Sequence, residues 1–131
     1  MPAPSKEPGG VRPAAAAGLY YPRDAEGLRC ALATLLGSGG GTAARLPKAL
    51  VVPHAGYAYS GAVAASAFRT LENVAAASIR HVVLLGPSHR VKMRGLALPS
   101  WDYYSTPFGQ VRVYDAGRRR LRELGLAGIA D

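Results

Sequence analysis

The chain has 131 residues, 49% of them apolar and 18% charged, which is enough for one modest core and excludes a disordered chain. Sixteen Lys and Arg against eight Asp and Glu leave a formal charge of +8, and no apolar run approaches the ~18–20 residues that cross a bilayer. A single cysteine, Cys30, excludes a disulfide framework and fits a reducing compartment, so a cytoplasmic location without membrane partners is expected.

Residues 1–11 are rich in Pro, Gly and polar side chains and lack an apolar h-region, so they read as a flexible lead-in and not as a signal peptide. Residues 12–131 read as one α/β domain. Asp24 is placed to cap a helix with Glu26 in its first turn, and Gly37 ends it. Leu28, Ala31, Leu32, Leu35 and Leu36 form its apolar face, with Cys30 on the opposite side. Ser38-Gly39-Gly40-Gly41 is a loop. Ala49-Leu50-Val51-Val52, between Pro47 and Pro53, reads as a strand buried on both faces. Ser60 then caps a second helix over residues 61–71, burying Ala64, Ala67, Phe68 and Leu71. His81-Val82-Val83-Leu84-Leu85 reads as another buried strand, so the three pieces make a βαβ unit with parallel strands. Residues 94–98 suggest a further short strand, and Thr106-Pro107-Phe108-Gly109 a turn. A last helix over residues 116–124 would turn Leu121 and Leu124 inward and Arg118, Arg119, Arg120 and Arg122 to solvent. Residues 126–130 look like the approach to another strand. The expected fold class is α/β, a mostly parallel sheet flanked by helices. Much of the apolar fraction is alanine, so its core is thin.

Two segments carry the chemistry, Pro53-His54-Ala55-Gly56-Tyr57 and Gly86-Pro87-Ser88-His89-Arg90. Each follows an expected strand, at the carboxyl edge where open α/β sheets collect ligands. Two imidazoles so placed suit Zn²⁺, Fe²⁺ or Cu, although a lone loop histidine is more often a hydrogen-bonded structural residue. Tyr57 and Tyr59 are in reach of the same cleft, with core packing as their alternative role. Arg90 suits a carboxylate or phosphate, or is simply solvated. His81 would start its strand at the opposite edge and reads as structural. Ser88 sits in the first three positions of a nucleophile elbow, but that motif needs glycine where Arg90 stands and a helix directly after. A serine hydrolase is therefore not expected. The scattered basic residues lack an aromatic–basic recognition motif, so nucleic acid is not an expected partner.

Several of these segments, with their order and spacing, resemble the Memo family, whose prokaryotic members are called AmmeMemoRadiSam system protein B. They are Arg12-Pro13-Ala14 through Ala17-Gly18-Leu19-Tyr20-Tyr21-Pro22, the run from Pro53 to Tyr57 extended by Ala58-Tyr59-Ser60-Gly61, Gly86-Pro87-Ser88-His89, and Thr106-Pro107-Phe108-Gly109. The resemblance implies a fold related to the class III extradiol dioxygenases. It also implies a mononuclear iron or copper site in which His54 and His89 match the two ligand histidines. Tyr57, Tyr59, Ser88 and Arg90 would line its pocket. The family's remaining ligand, a cysteine, lies in a C-terminal half that this sequence does not reach, and Cys30 does not take its place. The expectation is thus a truncated, N-terminal part of a Memo-like protein with an incomplete site, or else a cleft completed by another chain. Apolar surface would be left uncovered and open to self-association. Two functions follow from the resemblance. One is metal-dependent redox or dioxygenase-like chemistry in a system linked to radical-SAM proteins. The other is a non-catalytic module binding a phosphopeptide or other anion in the same cleft.

Overall fold

The structure, a computed structural model, describes residues 10–37, 47–72, 78–93, 95–125 and 127–129. The chain divides into two compact units, Ala15–Arg80 and Met1–Ala14 with His81–Asp131.

The first unit is helical. Helix α1 (Ala25–Gly37) starts where the cap was expected: the Gly27 N–H donates to Asp24 Oδ1 at 2.7 Å, satisfying one amide that the first turn leaves open. Leu28 is buried, Ala31, Leu32, Leu35 and Leu36 are half-buried, and Cys30 is exposed, so the expected apolar face is the observed one. Helix α2 (Tyr57–Phe68) departs from expectation. It begins four residues earlier, with Gly56 as N-cap, and continues into a 3₁₀ turn over Arg69–Leu71. Ser60 is therefore inside the first turn, and its hydroxyl donates back to the Ala55 carbonyl at 3.2 Å. The buried stripe is also rotated by one residue, running Gly61, Ala65, Arg69 at fourfold spacing, while Phe68 is half exposed. It packs against α1. A Cβ on Gly61 would sit 3.0 Å from Leu35 Cδ1, so the absent side chain is what lets the two helices approach.

The second unit carries the strands. Strand β1 (Val11–Arg12) pairs in parallel with β3 (Tyr103–Thr106), which pairs antiparallel with β4 (Gly109–Arg112), giving a mixed three-stranded sheet in the order β1-β3-β4. The expected turn joins β3 to β4: Thr106 Oγ1 donates to the Gly109 carbonyl at 2.8 Å and accepts the Phe108 N–H at 3.2 Å. Gly109 has φ of 114°, a value that favours glycine. Strands β2 (Leu96–Leu98) and β5 (Ala127–Ile129) form a separate parallel pair, with α3 (Asp115–Glu123) between them in sequence. The short strand, the last helix and the terminal strand approach are thus all present.

The two strands expected to carry the histidines are not. Residues 49–52 and 81–85 belong to no ladder among the described residues; the second run is exposed throughout, Leu84 by 89%, and in the first Val51 is 97% exposed while Leu50 and Val52 are half-buried. A short apolar run without alternation states that a segment would be stable between neighbours; it does not supply the neighbours. Pro53 and Pro87 also withhold an N–H from any ladder at the ends of these runs. The βαβ unit and the mostly parallel sheet are accordingly corrected to two small sheets, one mixed and one parallel. Among the described residues the buried apolar side chains are Leu28 and Ala65, so the core described is thin, as the alanine content suggests.

Candidate functional site

His54 lies in the helical unit, exposed, two residues before the Gly56 cap of α2. The turn that precedes α1 locks the backbone beyond it. Gly18, at φ of 82°, donates to the Tyr21 carbonyl at 2.7 Å, and Ala17 and Tyr21 form an isolated bridge. The Tyr20 carbonyl then accepts the Tyr57 N–H at 2.8 Å. A Cβ on Gly56 would meet Tyr20 Cδ1 at 3.1 Å and its Cα at 3.4 Å, so the glycine of the His54 segment is a packing requirement. The Tyr21 and Tyr57 rings lie 5.9 Å apart, tilted by 40°. Burial, followed by the charge Tyr21 would carry, raises the Tyr57 phenol above its ordinary value, so it stays a proton donor through neutral and mildly basic pH. Tyr59 is 88% exposed on the other side of α2 and is not part of this arrangement. Tyr21 was not singled out from sequence; its place in a Gly-Leu-Tyr-Tyr-Pro turn ahead of α1 is the only local signal it carries.

His89 and Arg90 lie in the strand-bearing unit, on an exposed bend. Ser88 shapes that bend by donating its hydroxyl to the Val91 carbonyl at 2.6 Å. That hydroxyl is committed to a backbone carbonyl, which fits a turn-forming serine. His81 is exposed and stacks on Tyr114 with 3.9 Å between ring centres, a packing role consistent with the structural reading of that residue. Among the described residues, no three His, Cys, Asp or Glu side chains come together as a metal-binding group.

A second polar constellation escaped sequence reasoning. Arg118 was expected to point into solvent, yet its side chain is only 16% exposed. Its Nη2 pairs with Asp115 Oδ1 at 2.8 Å and with Asp102 Oδ1 at 3.2 Å, and Nε donates to Asp115 at 3.2 Å. Nη1 reaches the carbonyls of Pro99, Ser100 and Trp101 at 3.2–3.4 Å. Arg119 also pairs with Asp115. The Arg118 hydrogen bond leads in holding the Asp115 carboxyl below its ordinary value, and Asp115 and Asp102 raise Arg118 in turn. Asp102, Tyr103, Arg112, Val113, Asp115 and Arg118 line an open depression of about 340 Å³.

Comparison with known proteins shows what the chain is similar to. The family model for Memo-like proteins matches residues 12–124, which includes both histidine segments. The chain is 38% identical over 111 residues to the "MEMO1 family protein" of Aquifex aeolicus, covering 85% of this chain and 39% of that relative. It is 38% identical over 115 residues to the "Protein memo-1 homolog" of Caenorhabditis elegans, covering 86% of this chain and 31% of the relative. Against human "Protein MEMO1" it is 39% identical over 69 residues, covering 53% of the chain and 22% of the relative. The chain therefore spans about two fifths or less of the length of these curated relatives. Among the described residues no helix is long and apolar enough to cross a membrane.

Proposed function

This chain belongs to the Memo-like family, and from that premise we propose that His54 and His89 are ligand residues of a mononuclear iron or copper ion, held for redox or dioxygenase-like chemistry. The observation that carries this reading is that both histidines fall inside the family match and both stand on exposed segments fixed by glycine- and serine-made turns. Imidazole nitrogens suit either metal, and two of them need at least one further donor from outside the described residues. When bound, the metal would supply redox or O₂ chemistry. The residues of this chain would position it: the Tyr20–Tyr57 hydrogen bond anchors the end of the His54 segment, and Ser88 sets the His89 bend. Tyr57 would hold a phenolic proton beside that segment. The fold proposed with it is class III extradiol dioxygenase-like, and radical-SAM proteins would be its functional partners.

The test is a Cu²⁺ and Fe²⁺ binding titration of the chain and of His54→Ala and His89→Ala. Each substitution should weaken binding by at least the ~10–100-fold that loss of even an outer-shell partner costs. Equal affinity in the parent and both variants would remove the two histidines from the site. The alternative function, a module for a phosphopeptide or another anion, draws on Arg90, exposed next to His89 and without an ion pair among the described residues. Metal-independent phosphotyrosine-peptide binding that Arg90→Met abolishes would favour it over the metal reading.

A further inference from the structure

Among the described residues, Arg69 is the polar residue that the helical unit buries, 5% exposed at the end of the Gly61–Ala65–Arg69 stripe. Its Nε and Nη2 are both buried without a hydrogen-bond partner. Those two atoms form one edge of the guanidinium, and their N–H bonds run side by side. This is the fork that takes the two oxygens of a carboxylate. A buried cation with its fork unused is strongly unfavourable, because water has been given up and no opposite charge has replaced it. The unit's own acids do not fill the role. Residues 15–80 hold three carboxylates: Asp24 accepts the cap amide of α1, and Glu26 and Glu72 are exposed.

We infer that Arg69 is the receptor for a single carboxylate supplied from outside this unit. The charge decides between oxyanions: one carboxylate neutralises the guanidinium, whereas a phosphate dianion would leave a net negative charge in a buried place. The planar two-oxygen group also matches the orphaned edge atom for atom. This site is independent of the histidine segments and of any metal they hold.

The experiment follows the side-chain Nε–H resonance of Arg69 by NMR, assigned by its loss in Arg69→Lys, together with the melting temperature of the chain. Sodium acetate is compared with sodium chloride at equal ionic strength and pH. Acetate should shift the resonance saturably and raise the melting temperature above its value in chloride, and Arg69→Met should lose that acetate-specific rise. If Arg69→Met fails to fold, the parent resonance alone decides. N-acetylglutamate N-methylamide, which mimics a glutamate within a chain, separates the sources. A response at lower concentration than acetate assigns the carboxylate to a polypeptide, and an equal response assigns it to a free small ligand. Identical behaviour in acetate and chloride would overturn the inference, as would a response to inorganic phosphate stronger than that to acetate.

Discussion

Arg118 and Arg69 are both arginines withdrawn from solvent, one in each unit, and their surroundings are opposites. Around Arg118 two carboxylates and three backbone carbonyls converge, so the guanidinium ties the loop at residues 99–101 to the start of α3. Around Arg69 the helix stripe offers a glycine and an alanine, and one edge of the guanidinium goes unused. The strand-bearing unit therefore draws on charge-assisted hydrogen bonds, and the helical unit on close packing of small residues. The same side chain is a cross-link in one and an open valence in the other, because burial costs little only when every donor finds an acceptor.

The comparison can be broken at its strongest point first. Arg118→Met keeps the stem and deletes the fork, leaving Asp102 without its ion-pair partner and Asp115 with Arg119 alone. Urea unfolding should show a loss of about 2–3 kcal/mol, the scale for removing hydrogen bonds to a charged group. The pH dependence has a definite sign. Asp115 is depressed in the folded protein, so its contribution is present above the ordinary carboxylate value and is lost as pH falls through the lower, folded one. In Arg118→Met the acid limb of the stability curve should flatten; an unchanged limb would show that Asp115 does not depend on Arg118.

Gly61→Val tests the other half. Its branched side chain must displace the Leu35 methyls that already stand 3.0 and 3.2 Å from the Cβ position, at a cost of about 2 kcal/mol. Combining it with Leu35→Ala should recover part of that loss, and strict additivity of the two would refute the contact. The smallest effect is expected at Asp24→Ala, about 1 kcal/mol from the lost α1 cap. Its measure is a matching fall in helical signal by circular dichroism on mild heating.

Local signals were legible and distant ones were not. The cap and apolar face of α1, the turn from Thr106 to Gly109 and the last helix each depend on residues within a few positions of one another. Their spacing alone carries them. Memo-like membership was equally legible, because the two histidine segments are contiguous and specific. Sequence points to Ser60 as the start of α2 because serine is a good cap by type, whereas Gly56 is selected by the proximity of Tyr20, thirty-six positions away. Arg118 looks solvated in its basic run because its partners at Pro99, Ser100, Trp101 and Asp102 lie sixteen to nineteen residues back. Residues 81–85 look like a buried strand because an apolar run records a preference for burial and says nothing of its neighbours.

The parallel pair β2–β5 sets an order of events. Leu96 meets Ala127 only after the intervening chain has been gathered, whereas the β3–β4 hairpin closes over two residues and α3 coils from local contacts. Loop-closure entropy makes such a pair a late arrival in folding, and its three-residue length makes it an early departure. Amide hydrogen exchange should therefore run faster in residues 96–98 and 127–129 than in the hairpin, and whatever loosens α3 should open that seam before any other.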